Sequence, residues 1–230
     1  MRVFYIGLFV FSLMSNGFAM VGIALAAGPE NSPGCDKDYG SHIKNFCIVK
    51  HGELWRGSQP RGAGAVELMN RGVRTIVNLE LLHDDAPHFD QLAVPDVNKL
   101  EVEYFRVRDW ELNVKLAPTL LDTHVAHFLA ITRMRPKPVY VHCRQGQNRT
   151  GVMVAAYQVF NGMSIESAID EMKRYNGLFF QDDARYIRTL TQVRRHQLEK
   201  KIEAWIPKLR MQAKIVCKAA ACSLRTNPDQ

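Results

Sequence analysis

The chain has 230 residues, 47% of them hydrophobic, with 30 Lys/Arg against 23 Asp/Glu and a formal net charge of +7. That length supports one domain with a sizeable core, and the sequence contains no repeat or low-complexity segment that would call for another architecture. The basic residues are not interleaved with aromatics and form no recognised module, which argues against nucleic acid as a partner.

Residues 1–26 are expected to be a secretory signal peptide. Arg2 supplies the positive start, Val3 to Leu25 is mostly apolar, and Ala24-Leu25-Ala26 offers a small-x-small cleavage site. The apolar stretch is also long enough to span a bilayer, so an uncleaved anchor is the alternative, and with it membrane contact. The expected location is periplasmic or secreted. An N-terminal arm, 27–49, follows. Export sets Cys143 apart from Cys35, Cys47, Cys217 and Cys222, an even number expected to form two disulfides. Local pairing, Cys35–Cys47 and Cys217–Cys222, is favoured over cross-pairing. No Cys-x2-Cys pair supports zinc.

A single α/β segment is expected over residues 50–195. Glu53–Arg56 and Arg74–Leu79 read as strands, with a short helix at Gly64–Asn70 between them, stopped by Arg71-Gly72. His83–Lys99, with two prolines, is an irregular excursion. Val102–Val107 alternates as a strand and leads into a loop carrying Asp109, Trp110 and Glu111. Pro118 opens a helix that ends before Arg135-Pro136. His124 and His127 share its face but lack a third ligand, so they read as surface or core histidines and no metal site is expected. Val139–His142 is a fully apolar central strand, Thr150–Phe160 a helix, and Ser164 the cap of another. Asp182, after Gln181, reads as the cap of the next helix. From Arg185 to Gln230 there are eleven Lys/Arg and three Asp/Glu. The spacing from Tyr186 to Ala221 is helical with a break at Pro207, so residues 196–230 are expected to be a basic C-terminal helical extension. Such a face attracts anionic substrates or membrane surfaces, or is simply solvated.

The densest information lies in His142-Cys143-Arg144-Gln145-Gly146-Gln147-Asn148-Arg149-Thr150-Gly151, between a strand and a helix start. Backbone N–H groups from Arg144 to Arg149 can curl around one anion, reinforced by the helix dipole. Gly146 suits a positive φ or a close approach. Arg149 can grip two phosphate oxygens with its planar fork. The same positive field favours the Cys143 thiolate, a nucleophile for phosphorus. Thr150 can hold a hydroxyl against the sulfur, and His142 can orient the loop. Arg144, Gln145, Gly146, Gln147, Asn148 and Arg108 are the expected substrate-binding residues.

This segment resembles the His-Cys-x5-Arg-Thr/Ser-Gly signature of the cysteine-based protein tyrosine and dual-specificity phosphatases. Leu54-Trp55-Arg56-Gly57-Ser58-Gln59-Pro60 is similar to the stretch that opens many small bacterial and fungal members. The resemblance covers roughly residues 50–195. It implies a mixed central sheet flanked by helices and hydrolysis through a phosphocysteine without a cofactor. It also implies a general acid about thirty residues before the cysteine, for which Asp109 is the candidate and Glu111 the alternative, and in some relatives a late-loop glutamine that positions water, for which Gln181 is a candidate. Exported cysteine phytases share the signature, so the expected substrate is an anionic phosphate ester, either an inositol polyphosphate or a phosphoprotein. A non-catalytic phosphate-binding module is the remaining reading.

Overall fold

The structure, a computed structural model, describes residues 40–175 and 177–226. The expected signal segment and Cys35 lie outside the described residues. A seven-stranded mixed sheet runs through the molecule in the order β1-β2-β5-β3-β4-β6-β7. Its parallel centre comprises β2 (Leu54–Ser58), β5 (Val139–Cys143), β3 (Thr75–Glu80) and β4 (Lys99–Asp109). β1 (Cys47–Lys50) joins one edge and β6 (Ala213–Lys218) with β7 (Ala221–Thr226) the other, all antiparallel to their neighbours.

Alternation along the strands divides two apolar layers. On β4, Phe105 and Val107 face one cluster while Leu100, Val102 and Tyr104 face the other. Val139 and Val141 of β5 join the first cluster and Tyr140 the second. Both faces are covered, as parallel strands require, which explains why β3 and β5 are buried along their whole length.

The first face is covered by α3 (Pro118–Met134), α4 (Asn148–Phe160), α5 (Ile165–Lys173), α6 (Phe180–Arg188) and α7 (Gln192–Trp205). The second is covered by α1 (Ala63–Asn70) and a 3-10 turn at Ala86–Phe89. A single turn, α2 (Asn113–Leu116), precedes α3. Pro118 stands at the start of α3, and Ser164 caps α5 by accepting from Ser167 N. α4 is buried from Arg149 through Val159, so it is enclosed on all sides and carries no amphipathic signal.

The C-terminal region departs from expectation. α7 is helical and packs on α3, but residues 213–226 form a β-hairpin rather than a basic helix. Lys214 pairs with Glu101 on β4 at 2.7 Å, and Ile215 and Cys217 enter the second core. Basic residues alternate with apolar ones here because one face is solvated and the other is buried. Cys217 and Cys222 are joined across the hairpin by a disulfide. Cys47 is also disulfide-bonded. Asp182 is not a cap: Phe179 precedes α6, and the Asp182 carboxylate reaches Lys115 at 2.9 Å and Arg185 at 3.0 Å.

Candidate active site

The parallel strands end together on one side of the sheet, where β5 delivers Cys143 beside Ser58 of β2. Carboxyl ends of parallel strands are where ligands of open α/β sheets bind. Cys143 is only 3% exposed and is the free cysteine among the described residues. After it the chain turns through four residues into α4. Among the described residues no backbone carbonyl accepts from the N–H groups of Arg144, Gln145, Gly146 or Gln147. Unpaired amides next to a helix start make an anion cradle.

The loop's shape depends on neighbours far away in the chain. Gly146 has φ +67°, and a Cβ there would lie 2.5 Å from the carbonyl of Gly57, so conformation and space both demand glycine. Arg56, fully buried, donates from Nη2 to the Gly146 carbonyl at 2.8 Å and stacks 3.5 Å above the Tyr175 ring. Burial lowers the Arg56 pKa, while Tyr175, Glu171 and Cys143 act to raise it. Asn45 donates to the Gln145 carbonyl at 2.8 Å.

Arg149, buried on the first turn of α4, donates from Nη1 to the carbonyls of Leu79 at 3.2 Å and Asp109 at 3.3 Å. Its Nη2 lies 2.6 Å from Glu111 Oε1, and its Nε is buried without a partner. The Nε/Nη2 edge is therefore a fork half-occupied by a carboxylate, an arrangement suited to an oxyanion. Thr150 is wholly buried, and its hydroxyl also lacks a partner. Asp109 closes β4 rather than standing on the following loop, and it is 2% exposed. Its Oδ1 accepts from Asn113 and meets His124 Nδ1, each at 2.8 Å. His124 is thus a partner of Asp109, whereas His127 stacks on Trp205 at 4.1 Å and is held near pKa 4 by burial and by His124.

Not every expected binding side chain lines the cleft beside the loop. Arg144 and Gln145 are exposed and line a cleft of about 360 Å³ together with Gln59, Arg61, Glu80 and His83. Arg108 is exposed and outside that lining, because alternation on β4 turns it away from Asp109. The side chains of Gln147 and Asn148 brace the loop instead: Gln147 donates to the Tyr175 carbonyl at 2.9 Å and Asn148 to Asp183 at 3.1 Å. Burial pushes the Asp183 carboxyl up to about 7, with Asp182, Asp109 and Glu111 adding to the rise against the Asn148 hydrogen bond.

The wall behind the loop is polar. His142 is fully buried, its Nε2 lying 2.9 Å from Asp85 Oδ2 off the hydrogen-bond direction. Burial raises the Asp85 pKa, but His142, Gln59 and His83 outweigh it and hold the carboxyl below its usual range.

A family model described as PTP-NADK, "DSP-PTPase phosphatase fused to NAD+ Kinase", matches residues 42–189. The chain belongs to this family. Within the PTP-NADK match fall Cys143, Arg149, Asp109 and the opening motif around Arg56. Among individual proteins, the chain is 31% identical over 133 residues to the dual specificity protein phosphatase TpbA of Pseudomonas aeruginosa, covering 57% of this chain and 55% of that one. It is 24% identical over 149 residues to the inositol diphosphatase DSP5 of Arabidopsis thaliana, covering 62% and 68%. The crystal structure of P. aeruginosa TpbA superposes with a TM-score of 0.48 at 21% identity, covering 66% of this chain and 85% of that one. The chain spans about half the length of TpbA.

Several residues that build the site escaped sequence reading. Arg56 belongs to the opening motif, where its type alone indicates no role. Asp85, Asn113 and His124 had none because their partners come from other strands and helices. Only Glu111 and His142 carried a usable signal, through adjacency to Asp109 and Cys143.

Proposed function

We propose that this chain is an exported, cysteine-dependent phosphomonoesterase that works through a phosphocysteine and acts on compact polyanions such as inositol polyphosphates. One observation carries the reading: the buried free thiol Cys143 is followed directly by four unpaired loop amides, with the free Nε of Arg149 and the partnerless Thr150 hydroxyl on the following turn. These are the donors that a phosphoryl group and a departing sulfur need. Phosphoryl transfer is mostly positioning and charge stabilisation, which preorganised donors provide.

In the first step Cys143 Sγ bonds to phosphorus as the phosphorus–oxygen ester bond breaks, and the leaving oxygen takes a proton from Asp109. In the second, water attacks phosphorus, the sulfur–phosphorus bond breaks, and Asp109 takes the water proton. Thr150 donates to the departing thiolate. The Asp109 oxygen not engaged by Asn113 and His124 is Oδ2, the atom suited to carry the proton. Glu111 must release Arg149 for the phosphate to occupy the fork.

The cleft flanked by Arg61 and Arg144 supports a polyanion, since each cation near the loop attracts further phosphates. A relative named inositol diphosphatase agrees with that chemistry. A second reading, a protein phosphatase, is favoured by the exposed Leu82 and Trp110, which follow the ends of β3 and β4. The apolar N-terminal stretch and the Cys217–Cys222 disulfide support export, because disulfides persist in oxidising compartments.

The test is hydrolysis of p-nitrophenyl phosphate, phosphotyrosine peptide and inositol hexakisphosphate by the native chain, Cys143→Ser and Asp109→Asn. The expected result is no turnover for Cys143→Ser, a trapped phosphoenzyme in native protein after acid quench, and loss of turnover on alkyl phosphates for Asp109→Asn. Activity in Cys143→Ser rejects the covalent mechanism. Intact alkyl-phosphate turnover in Asp109→Asn transfers the acid role to Glu111. Turnover confined to the peptide selects the second reading.

A further inference from the structure

We propose that His83, Asp85 and His88 form a binding site for a divalent ion of the zinc class, placed behind the signature loop. The three residues offer one ligand atom each, all within 4.8 Å of one another. Tetrahedral zinc with bonds of about 2.0–2.2 Å sets its ligand atoms roughly 3.3 Å apart, so the set closes by a rotation of exposed His88. Two imidazoles and a carboxylate, with a fourth position left for water, are a donor set that zinc takes readily and calcium or magnesium does not.

The backbone builds this arrangement. His88 N donates to the Asp85 carbonyl at 2.8 Å in the 3-10 turn, where side chains three apart eclipse. The His83 and His88 rings lie 5.7 Å apart. Upstream, the Tyr104 hydroxyl accepts from Asp85 N at 3.1 Å and donates to Asp84 at 3.0 Å, so the segment is anchored to β4.

The unsatisfied atoms point to a missing partner. His83 Nε2 is buried without a hydrogen bond, 3.4 Å from Asp85 Oδ1. Asp85 is fully buried, and its Oδ1 already accepts from Gln59. A carboxylate oxygen has a second lone pair, so ligation and that hydrogen bond are compatible. The other oxygen, Oδ2, faces His142 and would act as the outer partner that orients the ligand. His142 directly precedes Cys143 on β5, so an ion on Asp85 is felt at the nucleophile's backbone. His83 also lines the cleft, which places the ion beside bound substrate.

Calorimetric zinc titration of the untagged Cys143→Ser chain removes the thiol as a competing ligand. One equivalent should bind. Adding His83→Ala or His88→Ala should weaken binding by more than the roughly 10–100-fold that loss of an outer partner costs. Cobalt(II) should give visible bands without sulfur-to-metal charge transfer. His88 is exposed, so His88→Ala should melt like its parent in zinc-free buffer. Zinc should change p-nitrophenyl phosphate turnover by the native chain and not by His88→Ala. Absence of binding, or equal affinity in the two alanine variants and their parent, overturns the site. Equal zinc sensitivity of native and His88→Ala enzymes overturns its link to the loop. Because binding is read without turnover, these outcomes are separate from failure of the phosphatase reading.

Discussion

Arg149 divides its guanidinium, with Nη1 on two backbone carbonyls, Nη2 on Glu111 and Nε unpartnered. Lysine can replace the charge but not both functions. Arg149→Lys should therefore lower kcat/KM by on the order of 10²–10³, as loss of a preorganised donor does, without unfolding the chain. Steady-state kinetics beside a thermal melt would show it. Asp183 gives a pH signature. Its carboxyl is raised to about 7 in the fold, above the ordinary 3.8. Between those values the native state holds a proton that the unfolded chain has released, so stability falls as pH rises through that window. Asp183→Asn keeps an acceptor for Asn148 and removes the ionisation. Urea unfolding should find this variant more stable than the native chain at pH 8, by on the order of 1–4 kcal/mol, with the difference gone near pH 4.

At the scale of elements, the signature loop is held by β2 and the N-terminal segment as much as by its own sequence. Gly146 meets Gly57 because β2 and β5 are parallel neighbours in register from Leu54↔Val139 to Ser58↔Cys143. Gly146→Ala should displace the loop, cut turnover severely and lower the melting temperature, since the new Cβ meets the buried backbone of β2. Unchanged kinetics would mean that the loop tolerates the displacement. The signature was legible because its spacing is local: Cys143, Arg149 and Thr150 are brought together by one strand end and one helix turn. Asp109 stood out through the alternation of the strand that it closes and the spacing that the resemblance implies. Its clamp by Asn113 and His124 was not legible, because α2 is one turn long and too short to leave a period.

At the scale of the molecule, the sheet continues through the C-terminal hairpin, which covers the β4 edge. An uncovered strand edge invites pairing with other chains. The Cys217–Cys222 disulfide closes a separation of five residues, short enough that its loss should cost about 2 kcal/mol. Cys217→Ser/Cys222→Ser should show that drop in urea unfolding. The double variant should also keep near-native turnover, because the hairpin lies across the sheet from Cys143, with β3 and β4 between.

Sequence alone determined the α/β class, the place of the signature loop between a strand and a helix, and most central elements, because period, caps and a ten-residue motif are properties of neighbouring residues. The helix starting at Pro118 and the Ser164 cap were readable for that reason. The tertiary structure decided what depends on pairing at a distance. Residues 213–226 carry charges that fit a solvated helix equally well, and only the register against β4 makes them strands. It likewise turned Gln147 and Asn148 inward as braces, set Arg56 beneath Gly146, and gathered His83, Asp85 and His88 beside His142.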